Sequence, residues 1–162
     1  MPPFLEDGDT IAAIAPSRWV PEGVLENARN ILAGLGLNLV WDASINEQSG
    51  QFAGEDRHRA SSMMKAWSNV EVKALWAARG GYGAQRILET LDSKAMQDAP
   101  KWFIGFSDST AIHARLNQLG ILSIHAPVLS MVPLVPVEDV DACASILQGG
   151  IWKGLECVPH PL

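Results

Sequence analysis

The apolar positions fall into short unbroken runs separated by stretches with helical spacing. Residues 10–15 form an apolar run behind Thr10 that stops at Pro16 and Ser17, the pattern of a buried strand ending in a turn. After Pro21, the residues Val24, Leu25, Ala28, Ile31, Leu32 and Leu35 recur at helical intervals, and Gly34 and Gly36 close the stretch, which predicts an amphipathic helix. Residues 37–41 predict a second strand, and 42–54 a polar, glycine-containing loop long enough to be functional or mobile. Asp56 is a candidate N-cap for a second helix with Ala60, Met63, Met64 and Trp67 on one face. A third strand is predicted over 72–78, and a glycine-rich turn at 79–83 follows it directly. The pattern continues with a short helix over 84–91, a strand at 102–105, a helix over 108–119 closed by Gly120, and a strand at 121–124. Pro127, Pro133 and Pro136 then break the chain into a loop before a last helix over 138–147.

Short apolar strands alternating with helices predict a parallel sheet covered on both faces, because the crossover connections put helices on each side. The expected fold class is α/β: an open, mostly parallel, doubly wound, flavodoxin-like sheet. Ligands of such sheets bind at the carboxyl ends of the strands. The segments to examine are therefore Pro16-Ser17, residues 79–83 and Phe106-Ser107-Asp108. One α/β domain is expected over 1–150, with 151–162 entering a linker.

Composition narrows the function classes. The 162 residues are 48% hydrophobic and 19% charged, with 18 acidic against 12 basic side chains and a formal net charge of −6. A chain of this length can bury roughly two-thirds of its unfolded surface, so a core needs no metal or disulfide. Without a lysine or arginine block, the acidic balance argues against nucleic acid or an anionic membrane as the main partner. The N-terminus lacks the basic and apolar regions of a signal peptide, and no apolar run approaches a membrane span, so a cytoplasmic location is expected. Cys143 and Cys157 lack metal-ligand spacing and read as ordinary core or edge thiols. Bulk packing is the default role for most of the 6 tryptophans, with Trp19 the candidate to line a pocket.

Two segments carry candidate chemistry. In Gly105-Phe106-Ser107-Asp108-Ser109 a serine stands at a tight strand-to-helix junction, the form of a nucleophile elbow, although Ser109 replaces the second glycine of that pattern. The alternative reading is that Ser107 or Asp108 simply caps the helix. In Arg79-Gly80-Gly81-Tyr82-Gly83 the glycines let backbone N–H groups approach an anion, yet the spacing fits neither a Walker A loop nor a dinucleotide site. Together the two loops could supply both donors of an oxyanion hole. Of the histidines, His113 follows Ser107 on the same helix at an angle that points it elsewhere, and His125 reads as a turn residue near the sheet edge. His58 lies in the cluster Glu55-Asp56-Arg57-His58-Arg59, which reads as a solvated first helical turn, and His160 lies in the tail. None shows metal-ligand spacing.

Ala15-Pro16-Ser17, Phe52-Ala53-Gly54-Glu55-Asp56-Arg57, Ala78 through Gly83 with Arg86, Leu88, Leu91 and Asp92, and Ile104 through Asp108 together resemble the LD-carboxypeptidases in order and spacing. These are serine peptidases that include muramoyltetrapeptide carboxypeptidases and microcin C immunity peptidases. The resemblance implies an α/β nucleophile domain with Ser107 as nucleophile. The amides of Asp108 and of Gly80 or Gly81 would form the oxyanion hole, with Ser17, Arg79 and Tyr82 as candidate substrate contacts. It further implies removal of the terminal D-alanine from cytoplasmic murein tetrapeptides during cell-wall recycling, with no metal or organic cofactor, and it leaves a homodimer open. The family's catalytic glutamate and histidine belong to a C-terminal domain that these 162 residues do not include. The isolated chain is accordingly expected to be inactive or nearly so. The alternatives are an immunity-type peptidase acting on a peptidyl nucleotide and a non-catalytic α/β binding module.

Overall fold

In the computed structural model, which describes residues 1–151, the strands are β1 (Thr10–Ile14), β2 (Asn38–Val40), β3 (Val72–Ala77), β4 (Trp102–Gly105) and β5 (Ile124–His125). The helices are α1 (Glu26–Gly34), α2 (Asp56–Ser68), α3 (Ala84–Ile87), α4 (Ser93–Asp98), α5 (Thr110–Gln118) and α6 (Val137–Leu147). All strands run parallel in one sheet of order β2-β1-β3-β4-β5, the doubly wound arrangement that the alternation of elements predicts.

The period-2 alternation of the strands divides the core into two layers. Ile11, Ala13, Ala74, Trp76, Trp102 and Ile104 face one layer, closed by Ala28 and Leu32 of α1 and by Val140, Cys143 and Leu147 of α6. Ala12, Ile14, Leu75, Ala77 and Phe103 face the other, closed by Met63 and Trp67 of α2, Ile87 of α3, Met96 of α4 and Ile112 and Leu116 of α5. Trp67, Trp76 and Trp102 are buried as expected, whereas Trp19 and Trp41 are half-buried.

Several boundaries differ from the sequence pattern for local reasons. Gly23 adopts φ +79°, so 21–25 form turns and α1 begins only at Glu26. The strand expected at 121–124 shrinks to Ile124–His125, because the Ile121 amide turns back to the Leu116 carbonyl at 2.9 Å and its side chain plugs the base of α5. The expected helix at 84–91 ends as a 3-10 turn over Leu88–Thr90, and α4 was not foreseen, although Asp92 caps it through the Ala95 amide at 3.0 Å. Asp56 does not cap α2. That position belongs to Glu55, and Asp56 turns to Arg59 and Arg86. The long 42–54 loop is tied down at Phe52, which bridges to Arg18 and Ser49. Burial pushes the Cys143 thiol up to about 12. Trp152, Cys157, His160 and all but the first residue of the expected linker lie outside the described residues.

Candidate active site

Parallel register sets the carboxyl ends of three strands side by side. Ile14 pairs with Ala77, and Trp76 pairs with Ile104, so the loops after β1, β3 and β4 meet over one edge of the sheet. Beneath them Gly105 is required by contact: a Cβ there would lie 3.0 Å from Ala77 Cβ and 3.1 Å from Ser109 Cβ. Buried Ser109 is small enough to take the place of the missing elbow glycine.

Ser107 has φ +61°, the only positive φ of a non-glycine residue among the described residues. Holding an L-residue there costs about 1–2 kcal/mol, and such strain persists only where surrounding packing dictates it. The strain turns the exposed Ser107 hydroxyl out above the sheet, as in a nucleophile elbow. Gly80 lies directly against it, since a Cβ on Gly80 would sit 3.2 Å from Ser107 Oγ. The amides of Gly80, Gly81 and Asp108 have no backbone or side-chain acceptor among the described residues. A groove of about 520 Å3 opens in front of Ser107, with Arg18, Val24, Arg79, Gly81 and Met131 in its wall.

Neither Ser107 nor Asp108 caps the helix that follows, which sets aside the capping alternative. Asp108 instead accepts the Ser17 hydroxyl at 2.6 Å and the Ala84 amide at 2.8 Å, joining the elbow to the β1 loop and to the start of α3. Ser17, a candidate substrate contact, is fully buried with its hydroxyl donated to Asp108. Arg79 does line the groove, and its guanidinium reaches the Trp19 carbonyl at 3.4 Å. Tyr82 is half-exposed, lies with its ring tilted against Phe52 at 6.0 Å between centroids and stays outside the groove lining, as does Trp19.

A second strut was missed in the sequence. Arg59, expected in a solvated turn, is 2% exposed and donates to the carbonyls of Pro16 and Gly83 and to Asp56. It thus ties the β1 loop to the glycine-rich loop from below. The signal was present, because Arg59, Met63 and Trp67 share one helix face at intervals of four. Arg86 chiefly, and Arg59 with it, hold the Asp56 carboxyl below its usual range.

No described histidine is hydrogen-bonded to Ser107. His113 donates Nε2–H to the Gly105 carbonyl at 2.8 Å and accepts at Nδ1 from the Ser123 hydroxyl at 2.7 Å, and burial lowers its pKa. That tautomer follows from the carbonyl, which can only accept. His125 is exposed with its ring 6.2 Å from Phe106, and His58 sits 3.5 Å from Glu47. A second hollow of about 530 Å3 lies at the opposite end of the sheet, beside Trp67, Val72 and Lys101. Burial, then nearby Lys73, brings the Lys101 pKa down to about 8, but no strained serine stands there.

The family model of the LD-carboxypeptidase N-terminal domain matches residues 11–126. A carboxypeptidase-named protein of Streptomyces coelicolor is 38% identical over 83% of this chain and 45% of its own length. The murein tetrapeptide carboxypeptidase of Pseudomonas aeruginosa is 30% identical over 94% of this chain and 50% of its own length. The chain thus spans about half the length of the curated relatives it matches. Among solved structures, the muramoyltetrapeptide carboxypeptidase of Oxalobacter formigenes superimposes with TM-score 0.77 at 28% identity, over 85% of this chain and 47% of that one. An MccF-like protein of Bacillus anthracis superimposes with TM-score 0.83 at 25% identity, over 90% and 46%. On the strength of the match over 11–126, the chain belongs to the LD-carboxypeptidase family.

Proposed function

We propose that this chain carries the nucleophile of a serine peptidase that removes the terminal D-alanine from murein tetrapeptides. The observation that supports this most is the strained Ser107, exposed at the groove with unpaired loop amides beside it. In this reading Ser107 Oγ attacks the scissile carbonyl and expels the amino group of D-alanine. The resulting acyl-enzyme is then hydrolysed by water. The Asp108 amide and that of Gly80 or Gly81 stabilise the oxyanion of each tetrahedral intermediate, a contribution of roughly 10²–10³ in turnover per donor. Arg79 contacts the substrate, and Tyr82 supports the loop through Phe52. Since no described histidine is hydrogen-bonded to Ser107, the proton of Ser107 passes to a glutamate-supported histidine contributed by the C-terminal domain that the family resemblance implies. Residues 1–150 then form the nucleophile domain. Among the described residues no helix is long and apolar enough to cross a membrane. The names of the murein-acting relatives favour a cell-wall peptide as the substrate, and the reading places its hydrolysis in cytoplasmic recycling.

The test is release of D-alanine from murein tetrapeptide by the full-length protein, with a peptidyl nucleotide assayed in parallel. The expected result is tetrapeptide cleavage that Ser107→Ala reduces by at least about 10³-fold. Undiminished turnover by Ser107→Ala, or cleavage of the peptidyl nucleotide alone, would refute the proposal.

A further inference from the structure

The groove in front of Ser107 has a charge opposite to that of the chain. The chain carries a formal net charge of −6, yet the only ionisable side chains in the groove wall are Arg18 and Arg79. Arg29, Arg57, Arg59 and Arg86 each pair with a carboxylate, whereas Arg18 and Arg79 have no such partner among the described residues. Much of the remaining wall is apolar, including Val24, Phe106 and Met131. Arg18 is exposed and Arg79 half-buried, so two guanidinium groups without carboxylate partners face an anion that enters the groove from solvent.

Local geometry holds Arg18 in place. Gly81 adopts φ +121° and has no Cβ; one built there would lie 2.6 Å from both Cγ and Cδ of Arg18. The Arg18 methylenes therefore lie across the loop whose amides flank Ser107. Arg79 is tethered to the carbonyl of Trp19, the residue next to Arg18, so its guanidinium is held beside the loop that carries Arg18. A planar, always-charged donor fork suits a carboxylate or phosphoryl group better than an ammonium does.

We propose that Arg18 and Arg79 are the residues that hold the free α-carboxylate of the departing residue. The inference rests on the peptidase reading and assigns to named side chains the selection of chain ends. A phosphoryl group shares the anion chemistry, so the test must separate the two sources.

The full-length protein is assayed on one peptide with a free C-terminal carboxylate, on its C-terminal amide and on a peptidyl phosphoramidate. The wild type is expected to favour the acid over the amide by about 10–100-fold in kcat/KM, the range of charge-assisted hydrogen bonds. In Arg18→Met that ratio should collapse toward one, and Arg18→Lys should recover part of it. An equal loss on acid and amide, an unchanged ratio, or a loss confined to the phosphoramidate overturns the carboxylate subsite. Binding of N-acetyl-D-alanine and its amide to the Ser107→Ala protein, followed by NMR titration, gives a readout without turnover. Tighter binding of the acid, lost in Arg18→Met, supports the subsite even if no peptide is hydrolysed. Absence of hydrolysis would overturn the peptidase reading, and equal binding of both compounds would overturn the subsite.

Discussion

An alanine at position 80 would bring a Cβ to 3.1 Å from Ser107 Cβ and 3.2 Å from Ser107 Oγ, inside ordinary van der Waals contact. Gly80 is not in the left-handed region, so alanine there is free of backbone strain and acts through crowding alone. For Ser107, leaving its rotamer, at about 0.5–1.5 kcal/mol, relieves only the contact to Ser107 Oγ, whereas the Cβ contact is relieved only by a small shift of the loop backbone. For a chain of this size the melting temperature should fall by about 2–4 °C per kcal/mol. Catalysis should suffer more, because an attacking atom displaced by even part of an ångström leaves the near-attack geometry. A misplacement of about 1 Å can cost 10²-fold. A fall in kcat of about 10–100-fold is therefore expected, equivalent to about 1.4–2.8 kcal/mol of barrier. Gly120→Ala is the matched control: φ is +73° with nothing within 4 Å, so the change costs about 1–2 kcal/mol of backbone strain away from the groove. Thermal melts and steady-state kinetics of the two full-length variants should dissociate, with Gly120→Ala less stable but fully active. Near-wild-type kcat in Gly80→Ala, or a loss that merely tracks its melting temperature, would refute the placement of Gly80 against the nucleophile.

Arg59→Met removes the donors to the Pro16 and Gly83 carbonyls and should cost about 3–5 kcal/mol in chemical denaturation, whereas a loss under 1 kcal/mol would contradict the strut. Asp108→Ala strands the buried Ser17 hydroxyl and the Ala84 amide. A loss of about 2–4 kcal/mol and faster hydrogen exchange at Ala84 are expected, and unchanged exchange would count against the clamp. Burial, with a smaller contribution from His125, lowers the His113 pKa, so the unfolded chain binds that proton more readily and stability falls as pH drops through about 6.5. His113→Gln should flatten the denaturation midpoint between about pH 7 and 5.5, and an unaltered slope would show that His113 does not titrate on unfolding. The lowered Asp56 pKa acts in the same direction at lower pH: its contribution is present above the ordinary carboxylate pKa and lost only as pH falls below about 4.

Strand and helix identity was legible because the central strands β1, β3 and β4 are largely apolar on both faces and helical repeats lie between the strands. The pattern failed where a side chain was recruited by the neighbouring element. Ile121 looks like a strand residue but closes the base of α5, and Asp56 looks like a cap but pairs with two arginines. In the candidate site, Ser107 and the glycine loop were visible because both lie beside strand ends, where tight turns need small residues. The Asp108 to Ser17 bond spans 91 positions, and no local spacing encodes it. Arg18 was overlooked for the same reason, since its relation to Gly81 exists only once β1 and β3 pair.

The most direct measurement on the central role of Ser107 is the intact mass and peptide map of the full-length protein after treatment with a fluorophosphonate. The expected result is one phosphonyl adduct on the peptide containing Ser107, with none on Ser107→Ala and loss of D-alanine release in step with labelling. An adduct on a different serine, or full labelling with turnover intact, would contradict Ser107 as the nucleophile.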